Sequence, residues 1–441
     1  MQDKPLFSDG SAPPGLPRRA SGAFLAACAL AAIALQGCVT LSSRNSPLLS
    51  DAAAAGGSPM SIRTLGADGR YAQLTSGDIA ARLRARASAQ PIDILALSGG
   101  GAGGAFGAGA IVGMTQSGRR PQFAVVTGVS AGALLAPYAF LGPAWDRQLT
   151  EIYTGGSGDH VLRSRGLGAI FGSSMYRGTP LKELIDRFAS DALLEAIARE
   201  AGKGRLLLVA TTDVNTGEPV VWDLGAIAMH GGGGARTLFR DVLLASASVP
   251  GVFPPVVLRI PADSGPRSET HVDGGVTLPF FIAPSPLDMA GDSTDQAGGA
   301  RLYVLIDGQL GEQPRATRLR TTTILSRSVE ASLNGMLRTT LELTAATTER
   351  RGIALDYSAI PISYPFHGAF DFSAATMRPL FQYAFDCARS GRLWTAFRTA
   401  PEGAAGDAET EAAFVRADPG QPASSCPADD SFIERFAARQ R

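Results

Sequence analysis

Gly128-Val129-Ser130-Ala131-Gly132 sets a serine between two glycines directly after an apolar run, Phe123-Ala124-Val125-Val126. This is the G-x-S-x-G pattern of a nucleophile elbow. A strand turns sharply into a helix, and the serine hydroxyl is pushed out at the strand end. Gly128 and Gly132 leave the tight turn free of side chains. The helix that follows directs free N–H groups to the same place, where negative charge is favoured. An earlier apolar run, Ile92 to Leu97, breaks into Ser98-Gly99-Gly100-Gly101-Ala102-Gly103-Gly104. The backbone N–H groups of Gly99, Gly100 and Gly101 can approach a tetrahedral oxyanion closely because no Cβ stands in the way. Gly99, Gly101 and Gly104 also satisfy G-x-G-x-x-G. However, the next strand closes on Thr127, not on the acidic residue that a dinucleotide site requires.

A serine nucleophile needs a base within hydrogen-bond reach. The residues offer two solutions. Asp307 closes the apolar run Leu302 to Ile306, and His367 follows later, which gives the order nucleophile, acid, histidine of an α/β-hydrolase triad. Alternatively, Asp273 acts directly as a carboxylate base. It ends a short strand before Gly274-Gly275, and burial without a counter-ion would raise its pKa. Asp-Gly is also a common turn dipeptide, so the spacing alone leaves Asp273 open between turn residue and base. His271, two residues earlier, reads as a strand residue facing the surface, or else as a neighbour of the site.

The surrounding pattern supplies the elements that position these groups. Ser76 to Arg86 reads as a short helix capped by Ser76 or Asp78. Leu181, Leu184, Ile185 and Phe188 form one face of a helix that Thr179 caps and Pro180 opens. Arg205 to Val214 and Pro219 to Leu224 form a hairpin around Asn215-Thr216-Gly217-Glu218. His230 to Ala235 reads as a glycine-rich loop, and Phe239 to Ser248 as a helix. Phe280, Phe281 and Ile282 read as core, or else as the lining of an acyl path. The segment 287–300 reads as a surface loop. Leu325, Val329, Leu333, Leu337 and Leu341 mark a long helix from Thr321 to Thr348. Ile353 to Ile362 is strand-like. Met377 to Ser390 is a helix with Pro379 in its first turn. Strands alternate with helices, which predicts an α/β fold with a mainly parallel central sheet covered on both faces.

The three motifs Gly99 to Gly104, Gly128 to Gly132 and Asp273-Gly274-Gly275 resemble, in the same order, those of the patatin-like phospholipases. Ala245-Ser246-Ala247-Ser248-Val249-Pro250 resembles that family's Ala/Ser-rich helix end, and Thr211 to Gly217 its central hairpin. The resemblance covers about residues 92–282, and more weakly Leu380 to Trp394. It implies a three-layer α/β/α sandwich and a Ser130–Asp273 dyad. The oxyanion hole would be built on the Gly100 and Gly101 N–H groups, and a phospholipid or lysophospholipid acyl ester would be hydrolysed without metal or cofactor. One position departs from the pattern. The family usually has Arg or Lys two residues after the third glycine, where this chain has Gly103. Two rival readings remain: a carboxylesterase or thioesterase with Ser130, Asp307 and His367, and a non-catalytic envelope lipoprotein.

Lys plus Arg and Asp plus Glu balance at 40 each in the 441 residues, so the chain carries no electrostatic footprint for nucleic acid. Arg18-Arg19 precede an apolar stretch, Ala20 to Leu35, that runs into Gln36-Gly37-Cys38. This is the layout of a secretory signal, and the stretch is short for a membrane span. Cys38 resembles the lipidated cysteine of a bacterial lipobox, with Gln36 where a smaller residue is usual. The expectation is a protein held at a membrane of the bacterial envelope by its lipid. Cys28 would leave with the signal, so Cys387 and Cys426 remain as an even pair in an oxidising compartment and suggest a disulfide. The resulting organisation is a signal at 1–38, a tether and extension at 39–90, a catalytic domain at 91–285, a C-terminal part completing the fold at 286–399, and a tail at 400–441.

Overall fold

The computed structural model describes residues 61–65, 71–87, 92–166, 172–260, 267–282, 300–311, 319, 321–396 and 425–429. All of them fall in one compact unit, 55–441. The signal segment with Cys38, the tether 39–60, the loop 287–299, and 400–424 and 430–441 of the tail lie outside the described residues.

In chain order the first elements are β1 (Ser61–Leu65), β2 (Tyr71–Leu74), α1 (Ser76–Ala87), β3 (Ile92–Leu97), α2 (Gly104–Gln116), β4 (Val125–Gly128), α3 (Ala131–Leu141) and α4 (Asp146–Thr154). Next come α5 (Thr179–Phe188), α6 (Asp191–Ala201), β5 (Leu206–Asp213), β6 (Glu218–Asp223), α7 (Leu224–His230), α8 (Gly232–Ser246), β7 (Val256–Ile260) and β8 (Arg267–Asp273). The last are β9 (Ala300–Ile306), α9 (Thr321–Arg350), β10 (Ala354–Ala359), α10 (Ala374–Ser390) and β11 (Thr395–Ala396).

The strands form one sheet in the order β11-β10-β9-β3-β4-β5-β6-β1-β2, with β8 also on β5 and β7 on β8. The run from β10 to β5 is parallel throughout. Alternate residues of its strands enter two separate cores. Leu95, Leu97, Leu207, Val209, Tyr303 and Leu305 pack on one face with α2, α3, α8 and α10. Ile94, Ala96, Leu206, Leu208, Leu302 and Val304 pack on the other with Ile79 and Leu83 of α1 and Leu337 and Leu341 of α9. This alternation is the period-two consequence of strand geometry, and it makes three layers. Strands from 39–90 and from 286–399 therefore share the sheet with those of 91–285, and β9 lies directly beside β3.

On the α2 face, a Cβ on Gly109 or Gly113 would fall 2.1 or 2.4 Å from the carbonyl oxygens of Phe381 and Phe385. The Ala/Gly-rich composition of α2 is what lets α10 lie close against it. Cys387 on α10 is disulfide-bonded to Cys426, 39 residues on. In the chain-entropy account such a link contributes about 4 kcal/mol. Tyr383 and Thr395 also donate to the carbonyls of Ser425 and Pro427, so residues 425–429 are docked.

Several local expectations need correction. Thr75, not Ser76 or Asp78, caps α1. Its hydroxyl accepts from the Asp78 N–H, and the Asp78 carboxylate accepts in return from Thr75, a reciprocal capping box. Thr179 is the first residue of α5 and caps nothing; Gly178 precedes it. The glycine run 232–234 is no loop but the first turn of α8. Pro379 sits inside α10, which starts a turn earlier than expected, at Ala374. The β1–β2 hairpin, α6 and β7 are additional elements. Phe280, Phe281 and Ile282 are buried in the core.

Candidate active site

The centre of the site is set by how three strands share one edge. β4 pairs with β5 only as far as Gly128 opposite Val209. Beyond that point the same edge of β5 is taken by β8, running antiparallel, with Asp273 opposite Thr211. Ser130 turns off the end of β4 just where Asp273 arrives at the end of β8. The Ser130 hydroxyl donates to Asp273 Oδ2 at 2.6 Å.

Ser130 has φ 54° and ψ −121°, the one positive φ of a non-glycine among the described residues. A conformation of this kind costs on the order of 1–3 kcal/mol. Hydrogen bonds on both sides hold it. Val129 N–H donates to Leu97, Gly132 N–H to Ser98, and Ser130 N–H to the Ser246 hydroxyl at 3.0 Å, which itself donates to Ala210. The turn also requires its glycines. A Cβ on Gly128 would lie 2.5 Å from the Gly132 carbonyl oxygen, and one on Gly132 2.5 Å from that of Leu97.

Asp273 is held equally firmly. Its N–H donates to the Ser248 carbonyl, its carbonyl accepts from Thr212, and Oδ1 accepts from the Gly275 N–H at 2.7 Å. Burial pushes the carboxyl up to about 7, against the opposing pull of the Ser130 hydroxyl and the Gly275 N–H.

The glycine loop lies beside the serine: a Cβ on Gly99 would sit 3.1 Å from that of Ser130. Its N–H groups are not equivalent. That of Gly99 donates to the Pro279 carbonyl and is therefore committed, which removes Gly99 from the expected oxyanion donors. The N–H groups of Gly100 and Gly101 meet no acceptor among the described residues, and both residues are half-exposed. The loop is braced from beneath by the end of β9. Asp307 N–H donates to the Ser98 hydroxyl, and the Asp307 carbonyl oxygen would lie 1.8 and 1.9 Å from a Cβ on Gly100 and Gly103. This contact explains Gly103: where the family carries a basic side chain, this chain has backbone in the way.

The structure does not assemble the triad. Asp307 is fully buried, and neither carboxyl oxygen makes a well-formed hydrogen bond among the described residues. Burial holds it well above the usual carboxylate range, against a weaker pull from the Gly107 N–H. His367 is exposed and contacts Asp371 and Thr376.

His271, expected at the surface, is fully buried instead. Its ring nitrogens meet Thr211 Oγ1 at 3.0 Å and Glu269 Oε2 at 3.1 Å, and Glu269 is paired with Arg63 of β1. Trp222 Nε1–H donates to the same Thr211 hydroxyl. Burial alone would raise the Glu269 carboxyl, but hydrogen bonds and charge from His271 and Arg63 bring it down to about 2. The signal was period two on one strand. If Asp273 faces inward, so do His271 and Glu269. Ser246, Ser248 and Thr212 were visible only as polar members of recognised segments, without their hydrogen-bonding roles. Among the described residues, no group of three or more His, Cys, Asp or Glu side chains is placed to hold a metal ion.

Residues 95–284 match the profile of the family described as patatin-like phospholipase. This stretch is a patatin-like phospholipase domain. The family it matches is one of lipid acyl hydrolases. In the patatin-like domain the elbow, the glycine loop and Asp273 all lie within the matched residues, while β9 and α10, which brace the loop and α2, lie beyond them. The crystal structure of VipD from Legionella pneumophila is 11% identical, with a TM-score of 0.33, and the alignment covers 76% of this chain and 71% of that one. No curated protein matches the chain.

The raised Asp273 carboxyl has a consequence for stability. A group whose folded pKa lies above its unfolded value stabilises the fold when protonated, and that contribution is lost as pH rises through about 7. Asp273→Asn keeps the shape and removes the charge. The variant is expected to unfold later than the parent at about pH 9, by a few kcal/mol at most, with the gap closing toward about pH 4. Thermal unfolding across this range measures it; a gap independent of pH contradicts the buried, raised carboxyl.

Proposed function

We propose that the chain is a serine acyl hydrolase that releases fatty acid from phospholipid or lysophospholipid through Ser130 and Asp273. The observation that carries the reading is the 2.6 Å hydrogen bond from the Ser130 hydroxyl to a buried, otherwise uncompensated carboxylate. Asp273 takes the hydroxyl proton as Ser130 Oγ attacks the ester carbonyl. The oxyanion that forms is received by the Gly100 and Gly101 N–H groups, which have no competing acceptor among the described residues. The proton then passes from Asp273 to the leaving alcohol, and the acyl group stays on Ser130. A water molecule gives its proton to Asp273, attacks the acyl-enzyme and releases the carboxylic acid, regenerating the serine. A base with a pKa near the working pH is well matched to both transfers.

The separation of Asp307 from His367 disfavours the triad. Gly103 is the feature that favours a non-catalytic module, yet its setting against Asp307 leaves the loop donors free. We further propose that Cys38 carries lipid and holds the enzyme at an envelope membrane, where its substrate lies. The support is the signal pattern alone.

Asp273→Asn is expected to lower kcat by about 10²–10⁴, and Ser130→Ala by at least as much. The double variant should be little worse than Ser130→Ala, because the two groups act as one unit. His367→Ala should stay within a few-fold of the parent. Hydrolysis of one micellar phospholipid by the folded variants decides this; a dead His367→Ala beside an active Asp273→Asn reverses the assignment. For the anchor, Cys38→Ala should release the mature protein from membranes or leave it unprocessed, since stable anchoring takes more than one acyl chain. Unchanged processing and membrane fractionation would remove that part of the proposal.

A further inference from the structure

A half-open cavity of about 770 Å³ lies against the C-terminal end of α8, within the size range of small-molecule ligand pockets. One part of its wall is apolar, with Leu181, Leu244 and Phe253. The other part is cationic, with Arg165 and Arg177, and no carboxylate residue lines it. Both arginines are exposed, and among the described residues neither has a carboxylate partner; the Arg165 guanidinium donates there to the Ser174 hydroxyl alone, at 3.2 Å. Lys182, also on the wall, is by contrast bridged to Asp186.

The arginines are carried on backbone that is tied in place. Arg165 N–H donates to Met175 and Arg177 N–H to Arg163, so the two passes of the segment pair with each other. Met175 and Tyr176 N–H groups donate to the carbonyls of Gly251 and Val252, just after α8. The cavity also shares a residue with the site. Ser248 lines it, and the Ser248 carbonyl accepts the Asp273 N–H. A ligand suited to this lining carries both an anionic and an apolar part.

We propose that this cavity binds the phosphate headgroup of an anionic phospholipid, with Arg165 and Arg177 on the phosphate and the Leu244–Phe253 wall against the adjoining hydrocarbon. The inference rests on the acyl-hydrolase reading and names the class of its substrate. Guanidinium groups suit the task because they bind phosphate oxygens in a bidentate, charge-assisted manner.

The test is calorimetric titration of the full chain carrying Ser130→Ala, so that binding is read without turnover. Three probes are used: a dihexanoyl phosphatidylglycerol below its micellar concentration, inorganic phosphate, and dihexanoylglycerol. The phosphatidylglycerol is expected to bind more tightly than either of the others. Adding Arg165→Gln and Arg177→Gln should weaken it by about tenfold or more, toward the level of dihexanoylglycerol. Arg177→Glu alone should weaken it further than Arg177→Gln. Arg236→Gln, on a surface arginine paired with Asp191, should bind like its parent. Unchanged affinity in the double arginine variant overturns the proposal, as does inorganic phosphate binding as tightly as the phospholipid. If the arginine-dependent binding appears and the unmutated chain hydrolyses no acyl ester, the cavity assignment stands and the hydrolase reading falls. If hydrolysis occurs without arginine-dependent binding, the reverse holds.

Discussion

Two strands that meet end to end along one edge of β5 define this molecule. β4 stops at Gly128, and β8 occupies the same edge from the opposite direction. The hydrogen bond between Ser130 and Asp273 spans that junction. Because both residues sit at strand ends, their positions are fixed by the register of the sheet and not by a flexible loop. The rest of the catalytic face follows from this. α8 ends where Ser246 and Ser248 can hold the Ser130 N–H and the Asp273 N–H, and β9 ends where Asp307 can brace the glycine loop. Elements outside the patatin-like stretch thus support a geometry whose reactive groups lie within it.

The junction has an energetic cost. Ser130 adopts a backbone conformation that non-glycine residues avoid, and Asp273 is a carboxyl removed from water with no cation beside it. Each is tolerated because the surroundings over-determine it: three N–H donors, two to backbone carbonyls and one to the Ser246 hydroxyl, hold the elbow, and three hydrogen bonds hold the Asp273 residue in place. The contrast with Glu269 is instructive. That carboxyl is also largely buried, four residues earlier on the same strand, but Arg63 and His271 compensate it and bring it down to about 2. One strand therefore carries a compensated and an uncompensated carboxylate, and the uncompensated one faces the serine.

Much of this was legible in the sequence, for a physical reason. A nucleophile elbow and a loop that presents N–H groups both demand glycine at fixed spacings, so their chemistry is written in residue types. The strands Ile92–Leu97 and Ala300–Ile306 were legible because they are buried on both faces and read as apolar runs. What was missed depends on partners distant in sequence. His271 looks like an ordinary polar strand residue until Thr211, Glu269 and Trp222 surround it. The glycines at 232–234 disfavour a helix by intrinsic propensity, yet they form the first turn of the fifteen-residue α8 because the rest of that helix packs into the core. The β1–β2 hairpin is short and exists by pairing with β6. The choice between Asp273 and a histidine base was likewise a question of which residues meet, which spacing alone left open.

The central claim is that the buried Asp273 carboxylate activates Ser130, and reaction of the intact enzyme with a fluorophosphonate tests it most directly. The account predicts a single adduct, on Ser130. Its rate of formation should rise with pH through one ionisation near about 7, and that profile should be the same in His367→Ala. Modification of a different residue, a rate that does not change between about pH 5 and 9, or an ionisation that disappears with His367 would contradict it.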